Sequence, residues 1–468
     1  VLFSQVPFQI LKPLRSSHCS SSSCGTTFCC RSIMDCREFS VSISAVGGRS
    51  TNVDVTVSTT ITEIKKAIQP LLSIPCWQQR LLYNANELDG NSSLQQFGIS
   101  SDDPTVSFSV VRCVRQKIYV IGEWGPQGGH VDACAITLAL NLETMSWDML
   151  PAMFQSRLSP TPIFVDGYWF SIGGLGEGAV ALSRVDIFDM YSESWIEAPP
   201  LATACCELGA VLLGGKLYAI GGHAGHTRGN DHEEVRETVN MLDLTTQTWV
   251  PARPLLTPRA IFECVCVEGL LYVIGGCSSI SHGDVCERTA EVFDPSSGEW
   301  ARLPDMALPR VNFQAVKLEG KIYVMGGWNN DVTATQHCEA FDPRTRMWSV
   351  LPPMLTARSN FRSVVLDGQI YVLGSDTDTE ESTNTVESFD PATKVWTRLP
   401  AMHTARADFA VTVFDNRIYV AGGIFHGLPR IETCLANVEV FEPICNTWIV
   451  LPEMPQARAF CAAFADNA

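Results

Sequence analysis

No stretch of about twenty consecutive apolar residues occurs in the 468 residues, so no membrane-spanning helix is expected. Basic charge is scarce: 33 Lys and Arg stand against 50 Asp and Glu, a net charge of −17. That balance argues against nonspecific nucleic-acid binding, in which cations must neutralise phosphates. No nucleophile elbow, phosphate-binding glycine loop or HExxH motif is present. Cysteine is plentiful at 18, but a disulfide frame is missing. The cysteines lie within apolar runs (Cys264, Cys266, Cys461) or in loops without a repeating pattern. They read as buried reduced thiols of an intracellular protein, cytoplasmic or nuclear. The remaining composition, 46% apolar and 18% charged, is that of an ordinary globular protein.

What is present is a repeat, seen best in Lys321–Arg358. KIYVMGG is followed by CEAFDPRTRMW and then LPPMLTAR. The same unit recurs from KLYAIGG, LLYVIGG, QIYVLGS and RIYVAGG, and more weakly from YWFSIGG and KIYVIGE. Its tryptophans, Trp147, Trp195, Trp249, Trp300, Trp348, Trp396 and Trp448, step by 48, 54, 51, 48, 48 and 52 residues. A period near fifty, built of short β-rich runs, is a propeller pattern. Each unit offers about four strands, and Asp-Pro pairs such as Asp342-Pro343 close a strand because proline cannot donate to the ladder. Paired glycines allow close backbone approach, and the tryptophan can pack between neighbouring sheets. One unit cannot bury its own sheet, so the units must form a ring.

The double glycine, the tyrosine before it and the spaced tryptophan resemble the kelch family over roughly residues 114–468. The resemblance implies a β-propeller in which one chain end completes the blade begun by the other. AFCAAFA (459–465) looks like that closing strand, giving seven blades. Six blades plus a decayed first unit is the alternative, since Glu123 replaces a glycine.

Residues 38–112 read differently. Phe39–Val46 and Asn52–Val57 alternate as a hairpin, and Thr60 with Glu63 has capping-box spacing. Ile61, Ile64, Ala67, Ile68 and Leu71 fall at helical spacing, with Pro70 and Pro75 ending the helix. Strands follow at Arg80–Tyr83 and Thr105–Val111. This α+β stretch resembles ubiquitin, through ITEIKKAIQ, Ile74-Pro75 and QQRLLY. Positions matching ubiquitin's apolar docking patch are Val46, Leu82 and either Ser109 or Val110. Alternatively, Val46 and Leu82 face the propeller. No Gly-Gly tail ends the domain, so the resemblance implies a built-in, non-cleaved module. Its chain-building lysines are only partly matched: Lys65 has a counterpart, whereas Asn86 stands at the most used position. Residues 1–37 read as a disordered or upstream segment: VLFSQVPFQILKPL is broken by Pro7, RSSHCSSSSCGTTFCCRS is low-complexity, and Met34 is a candidate start.

The most regular polar feature is an arginine after each Leu-Pro turn: Arg157, Arg259, Arg310, Arg358, Arg406 and Arg458. Either these arginines ring a partner pocket suited to an acidic peptide segment, or they are blade-to-blade struts. Asn312, Ser359, Asn360 and Asp408, one or two residues on, would tune specificity. The loop His223–Thr238, with His223, His226, His232, Glu233 and Glu234, could hold metal but reads as a solvated loop. The acidic insertion Asp376–Glu381 reads likewise. Neither cofactor nor metal is expected. Some kelch propellers are copper oxidases or sugar isomerases, but their axial Tyr, His and Cys set is absent. The BTB, BACK or F-box segments that link many kelch proteins to ligases are also absent. The expectation is a non-catalytic adaptor: its propeller grips a protein partner and its ubiquitin-like domain docks to proteasome or other ubiquitin-pathway components. A scaffold without that link is the other reading.

Overall fold

The computed structural model describes residues 39–465 apart from segments 46–49, 73–78, 85, 89–92, 101–105, 113–115, 123–134, 226–233, 245, 281–284, 331–332, 377–381 and 428–430. The chain divides into two compact units between Arg115 and Gln116. The sequence readings of residues 1–37, of Val46 and of Glu123 lie outside the described residues. No helix among the described residues is long and apolar enough to cross a membrane.

In the smaller unit, Phe39–Ala45 (β1) and Ser50–Val55 (β2) form an antiparallel hairpin, and Ile61–Leu72 (α1) follows. Gln79–Tyr83 (β3), Asn86–Glu87 (β4) and Ser107–Arg112 (β5) complete a sheet ordered β2-β1-β5-β3-β4. This is a β-grasp, with β1 and β5 parallel at its centre. Alternation in β1 buries Val41 and Ile43 and exposes Ser40, Ser42 and Ser44. The helix starts as its capping box predicts: the Thr60 N–H donates to Glu63 at 2.8 Å, and the Glu63 N–H donates to Thr60 Oγ1 at 3.3 Å. Ile61, Ile64 and Ile68 then pack on Val41, Ile43, Leu81 and Phe108. The helix runs through Pro70 to Leu72, beyond the expected stop. Proline in the last turn gives up one donor, and burial of Ile68 and Leu72 holds the turn together.

The larger unit is seven four-stranded antiparallel sheets, numbered here in chain order as blades 1 to 7. Blades 2 to 7 each come from one stretch of sequence, starting at Thr161, Gly209, Glu263, Gln314, Arg362 and Ala410, with a separate hairpin, Ile424–Gly427 and Ile431–Cys434, inserted between the second and third strands of blade 7. Blade 1 combines Lys117–Ile121, Ile136–Asn141 and Ser146–Ala152 with Ala462–Ala465, where Ala462 pairs with Ile121 and Ala465 with Ile118. The C-terminal strand therefore closes the ring, and the seven-blade reading replaces the six-blade one. Phe464 on that strand stacks on Tyr119 at 5.0 Å and lies 4.2 Å from Trp169 and 5.6 Å from Phe164, ring to ring.

Two repeated contacts join the blades. Every repeat tryptophan donates its indole N–H to a backbone carbonyl of the preceding blade: Trp195 to Pro151, Trp249 to Pro199, Trp300 to Arg253, Trp348 to Pro304, Trp396 to Pro352, Trp448 to Pro400 and, around the closure, Trp147 to Pro452. The double glycine makes the second. Gly221 has φ 60°, and a Cβ there would stand 2.5 Å from the Arg259 carbonyl, which accepts the Gly222 N–H at 2.9 Å. Only glycine admits that approach.

Candidate functional site at the mouth of the propeller

The repeat arginines lie just before the innermost strand of each blade, at equivalent points. Their side chains are not available to a partner. Arg157, Arg259, Arg310, Arg358 and Arg406 are fully buried, and Arg458 is 2% exposed. One nitrogen donates to the carbonyl of the first glycine, as Arg310 to Gly326 at 2.8 Å and Arg406 to Gly422 at 2.7 Å. Another meets a carboxylate on the third strand of the same blade: Arg259 with Glu291 at 2.7 Å, Arg310 with Glu339 at 2.9 Å, Arg358 with Glu387 at 2.8 Å, Arg406 with Glu439 at 2.7 Å, and Arg157 with Asp186. In blades 4 to 7 the second carboxylate oxygen accepts the backbone N–H three residues before the arginine, from Leu256, Ala307, Leu355 and His403. Each pair thus staples the incoming turn to the sheet. Burial pulls the Arg310, Arg358 and Arg406 guanidinium pKa values down, and their carboxylates oppose it. Burial pushes Glu439 upward, but hydrogen bonds from His403 and Arg406 outweigh it and leave that acid below its usual range.

The expected basic pocket at Arg157, Arg259, Arg310, Arg358, Arg406 and Arg458 is therefore corrected: all six side chains are buried, the first five against carboxylates inside the blades. Blade 3 replaces both members of the pair. Cys205 stands in place of the arginine, its Sγ donating to the Gly221 carbonyl at 3.0 Å, and Asn240 stands in place of the carboxylate. Losing both charges together avoids a lone buried ion. In blade 1, Leu138 occupies the carboxylate position and Arg458 donates to the carbonyls of Ile136 and Gly122.

Two residues beyond each arginine, or beyond Cys205, the chain passes through the left-handed region. These residues are Ser159, Glu207, Ile261, Asn312, Asn360, Asp408 and Phe460, with φ between 47° and 53°. Backbone bonds run from one blade to the next through them: Ile261 N–H to Glu207, Asn360 to Asn312, Asp408 to Asn360, and Phe460 to Asp408. They form a ring around the axis at one end of the innermost strands. The backbone is constant while the side chains are a hydroxyl, two carboxylates, two amides, an isoleucine and a phenylalanine, with no base among them. Left-handed backbone is costly for a β-branched residue, so Ile261 is not there for the turn's sake. Asn312, Asn360 and Asp408, three of the residues named beside the arginines, lie in this ring. Ser359 does not: it is fully buried.

Ser359 belongs to an inner layer. In blades 2 to 7 the residue after the arginine, or after Cys205, forms a β-bridge with the residue after the double-glycine position. Leu158–Leu175, Ala260–Cys277, Val311–Trp328 and Ala407–Ile424 are apolar pairs, whereas Cys206–His223 and Ser359–Asp376 are polar. His223 is not part of a solvated loop: it is 4% exposed, with Nε2 3.2 Å from both Cys206 Sγ and Glu207 Oε2. Asp376 is likewise buried, at 5%. His226, His232, Glu233 and residues 377–381 lie outside the described residues. No cluster of His, Cys, Asp and Glu among the described residues could hold a metal ion. Cys205, Cys338 and Cys461 are buried thiols; burial pushes Cys205 and Cys338 up to about 12 and Cys461 to about 11.

In the smaller unit Leu82 is half-buried, and Ser109 is its direct cross-strand partner. Val110 instead stands opposite the core residue Leu81. Ser109, not Val110, is thus the residue in register with Leu82, and Ser44 lies beyond it. Exposed Ser40, Ser42, Ser44, Ser107 and Ser109 make this face polar around Leu82.

Comparison with known proteins agrees with the two units. The ubiquitin family model matches residues 41–110, the Kelch motif matches 204–256 and 258–307, and the KLHDC2/KLHL20/DRC7 Kelch-repeats domain matches 312–468. Kelch-like protein 23 of Homo sapiens is 27% identical over 222 residues, 47% of this chain and 36% of that protein. Alpha-scruin of Limulus polyphemus is 24% identical over 228 residues, 47% of this chain and 25% of that protein. The chain thus spans about a third or less of the length of these relatives. The solved structure of YjhT covers 65% of this chain and 99% of its own at a TM-score of 0.51 and 14% identity, a likeness of fold alone.

Proposed function

The chain is a kelch-repeat protein carrying a ubiquitin-like domain, and on that premise we propose that it is a non-catalytic adaptor. The propeller takes a protein segment at the ring of left-handed residues, while the ubiquitin-like domain docks to ubiquitin-pathway machinery through the face that carries Leu82. The observation that carries this reading is the ring itself. Its backbone repeats from blade to blade, yet its side chains differ, as a recognition surface on a rigid scaffold requires. Loops set on such a frame lose little entropy when they bind, so side-chain identity decides the partner.

A second reading is a scaffold with no ubiquitin link, favoured by the serines that replace apolar surface around Leu82. Replacing Leu82 by Glu in the full chain separates the two. Under the adaptor reading, quantitative mass spectrometry of co-purified proteins shows proteasome, ligase or deubiquitinase subunits lost at least tenfold, with other partners unchanged. Equal recovery of every partner would leave the scaffold reading.

A further inference from the structure

A buried polar pair where four other blades use apolar residues needs a reason, because each unmatched polar group costs stability. Ser359–Asp376 in blade 6 is such a pair, and it adjoins Asp408 of the ring. Asp376 accepts from Asn360 Nδ2 at 3.1 Å and from Ser382 Oγ at 3.3 Å. Asp408 is nine-tenths buried, and the nearest cation, Arg362 Nη2, stays 3.7 Å from its carboxylate. Arg362 is held back by its own bonds to the carbonyls of Phe409 at 3.0 Å and Phe361 at 3.2 Å. Two further polar atoms here, the Oγ of fully buried Ser359 and His426 Nε2, are buried without a hydrogen-bond partner among the described residues. The groups that face Asp408 electrostatically are Arg362, Asp376 and His426. The fold therefore carries two close, under-compensated carboxylates at the mouth between blades 6 and 7.

Resting on the reading of the propeller as a segment-binding module, we propose that this mouth takes the cationic side chain of a partner, a lysine or arginine, on Asp408 and Asp376. The polarity is opposite to the acidic segment that an exposed arginine ring would select. With the arginines buried inside the blades, the ring of seven offers carboxylates at Glu207 and Asp408, amides at Asn312 and Asn360, and apolar contacts at Ile261 and Phe460. A segment with one base flanked by apolar residues matches that set in charge and in surface. An incoming ammonium or guanidinium would supply the close donor that Arg362 does not.

Binding should also depend on acidity. Burial, with Asp376 adding to it, pushes the Asp408 carboxyl up to about 6, against Arg362 and His426. The carboxylate form that attracts a cation is thus present above that pH and lost below it.

The test pans a degenerate nonapeptide library on the full chain at pH 7.5. Selected peptides are then measured by fluorescence polarisation on the wild type, Asp408→Asn and Asp376→Asn. The expected result is a shared Lys or Arg, a tenfold or greater loss with either variant, and a similar loss for the wild type at pH 5. Asp408→Asn should unfold at higher denaturant than the wild type at pH 7.5, by a margin that narrows at pH 5 as the folded carboxyl takes up its proton. That shows the variant is folded and that the wild-type carboxylate is under-compensated. Selected peptides with no basic preference, or with unchanged affinity for both variants, would overturn the cation site while leaving the propeller a binding module. Failure to select any peptide would overturn both.

Discussion

Replacing Arg358 by Ala should lower the stability of the propeller by roughly 3–5 kcal/mol, read from the midpoint of chemical denaturation. Arg358 is fully buried, donating to Gly374 O at 2.6 Å and to Glu387 at 2.8 Å. Truncation removes the buried guanidinium that faces the fully buried Glu387, the carboxylate that also holds the turn through the Leu355 N–H at 2.7 Å. Arg398, 3.8 Å from the same carboxylate, sits at the surface and can offset only part of the loss. The discriminating comparison is the double variant Arg358→Met with Glu387→Leu, which removes both charges as blade 3 does with Cys205 and Asn240. It should recover most of the loss, because an apolar replacement of comparable volume does not leave a lone ion. A double variant as unstable as the single one would show that geometry, rather than charge, gives the pair its value. An exposed partner-binding arginine would instead be lost with hardly any change in midpoint.

Phe464→Ala should cost roughly 3–5 kcal/mol, the range for removing a buried aromatic side chain. Its ring contacts Tyr119 within blade 1 and Trp169 and Phe164 of blade 2, so one residue on the closing strand serves two blades. The loss should concentrate at the closure. Hydrogen exchange of Ile118–Ile121 should accelerate far more than that of Ile370–Leu373 in blade 6. Uniform acceleration across all seven blades would mean that the ring opens only as a whole.

Much of this architecture was legible because the repeat states its own geometry seven times. The double glycine marks where a Cβ would meet the next blade's carbonyl, and the tryptophan marks an inter-blade bond; counting and the orphan strand at 459–465 favoured seven blades, and the pairing of Ala462 with Ile121 removed the six-blade alternative. The ion pairs were visible but went unread. Glu291, Glu339, Glu387 and Glu439 sit three residues before Asp-Pro or Glu-Pro in every case. In a strand of period two, an acid at such a position looks like one that faces water. Only the arginine 29 to 33 residues upstream reveals otherwise, and that proximity is tertiary. The left-handed ring was hidden more deeply, since Ile261 and Phe460 are poor residues for that backbone. Ser109 against Val110 was ambiguous until pairing to β3 set the register, because one residue of slip turns a side chain to the other face.

The closure also sets a clock during synthesis. Lys117–Ile121 is made some 341 residues before its edge partner Ala462–Ala465, counting from Ile121 to Ala462. At about 5–20 residues per second, a ribosome takes on the order of 20–70 s to cover that distance. Throughout that interval the first blade has an open strand edge bearing Ile118, Tyr119, Val120 and Ile121, the kind of edge that recruits another chain. Pairing with a neighbouring nascent copy would exchange closing strands between molecules. For this chain, the hazard of misassembly therefore lies in its first blade and ends only when its last strand is released.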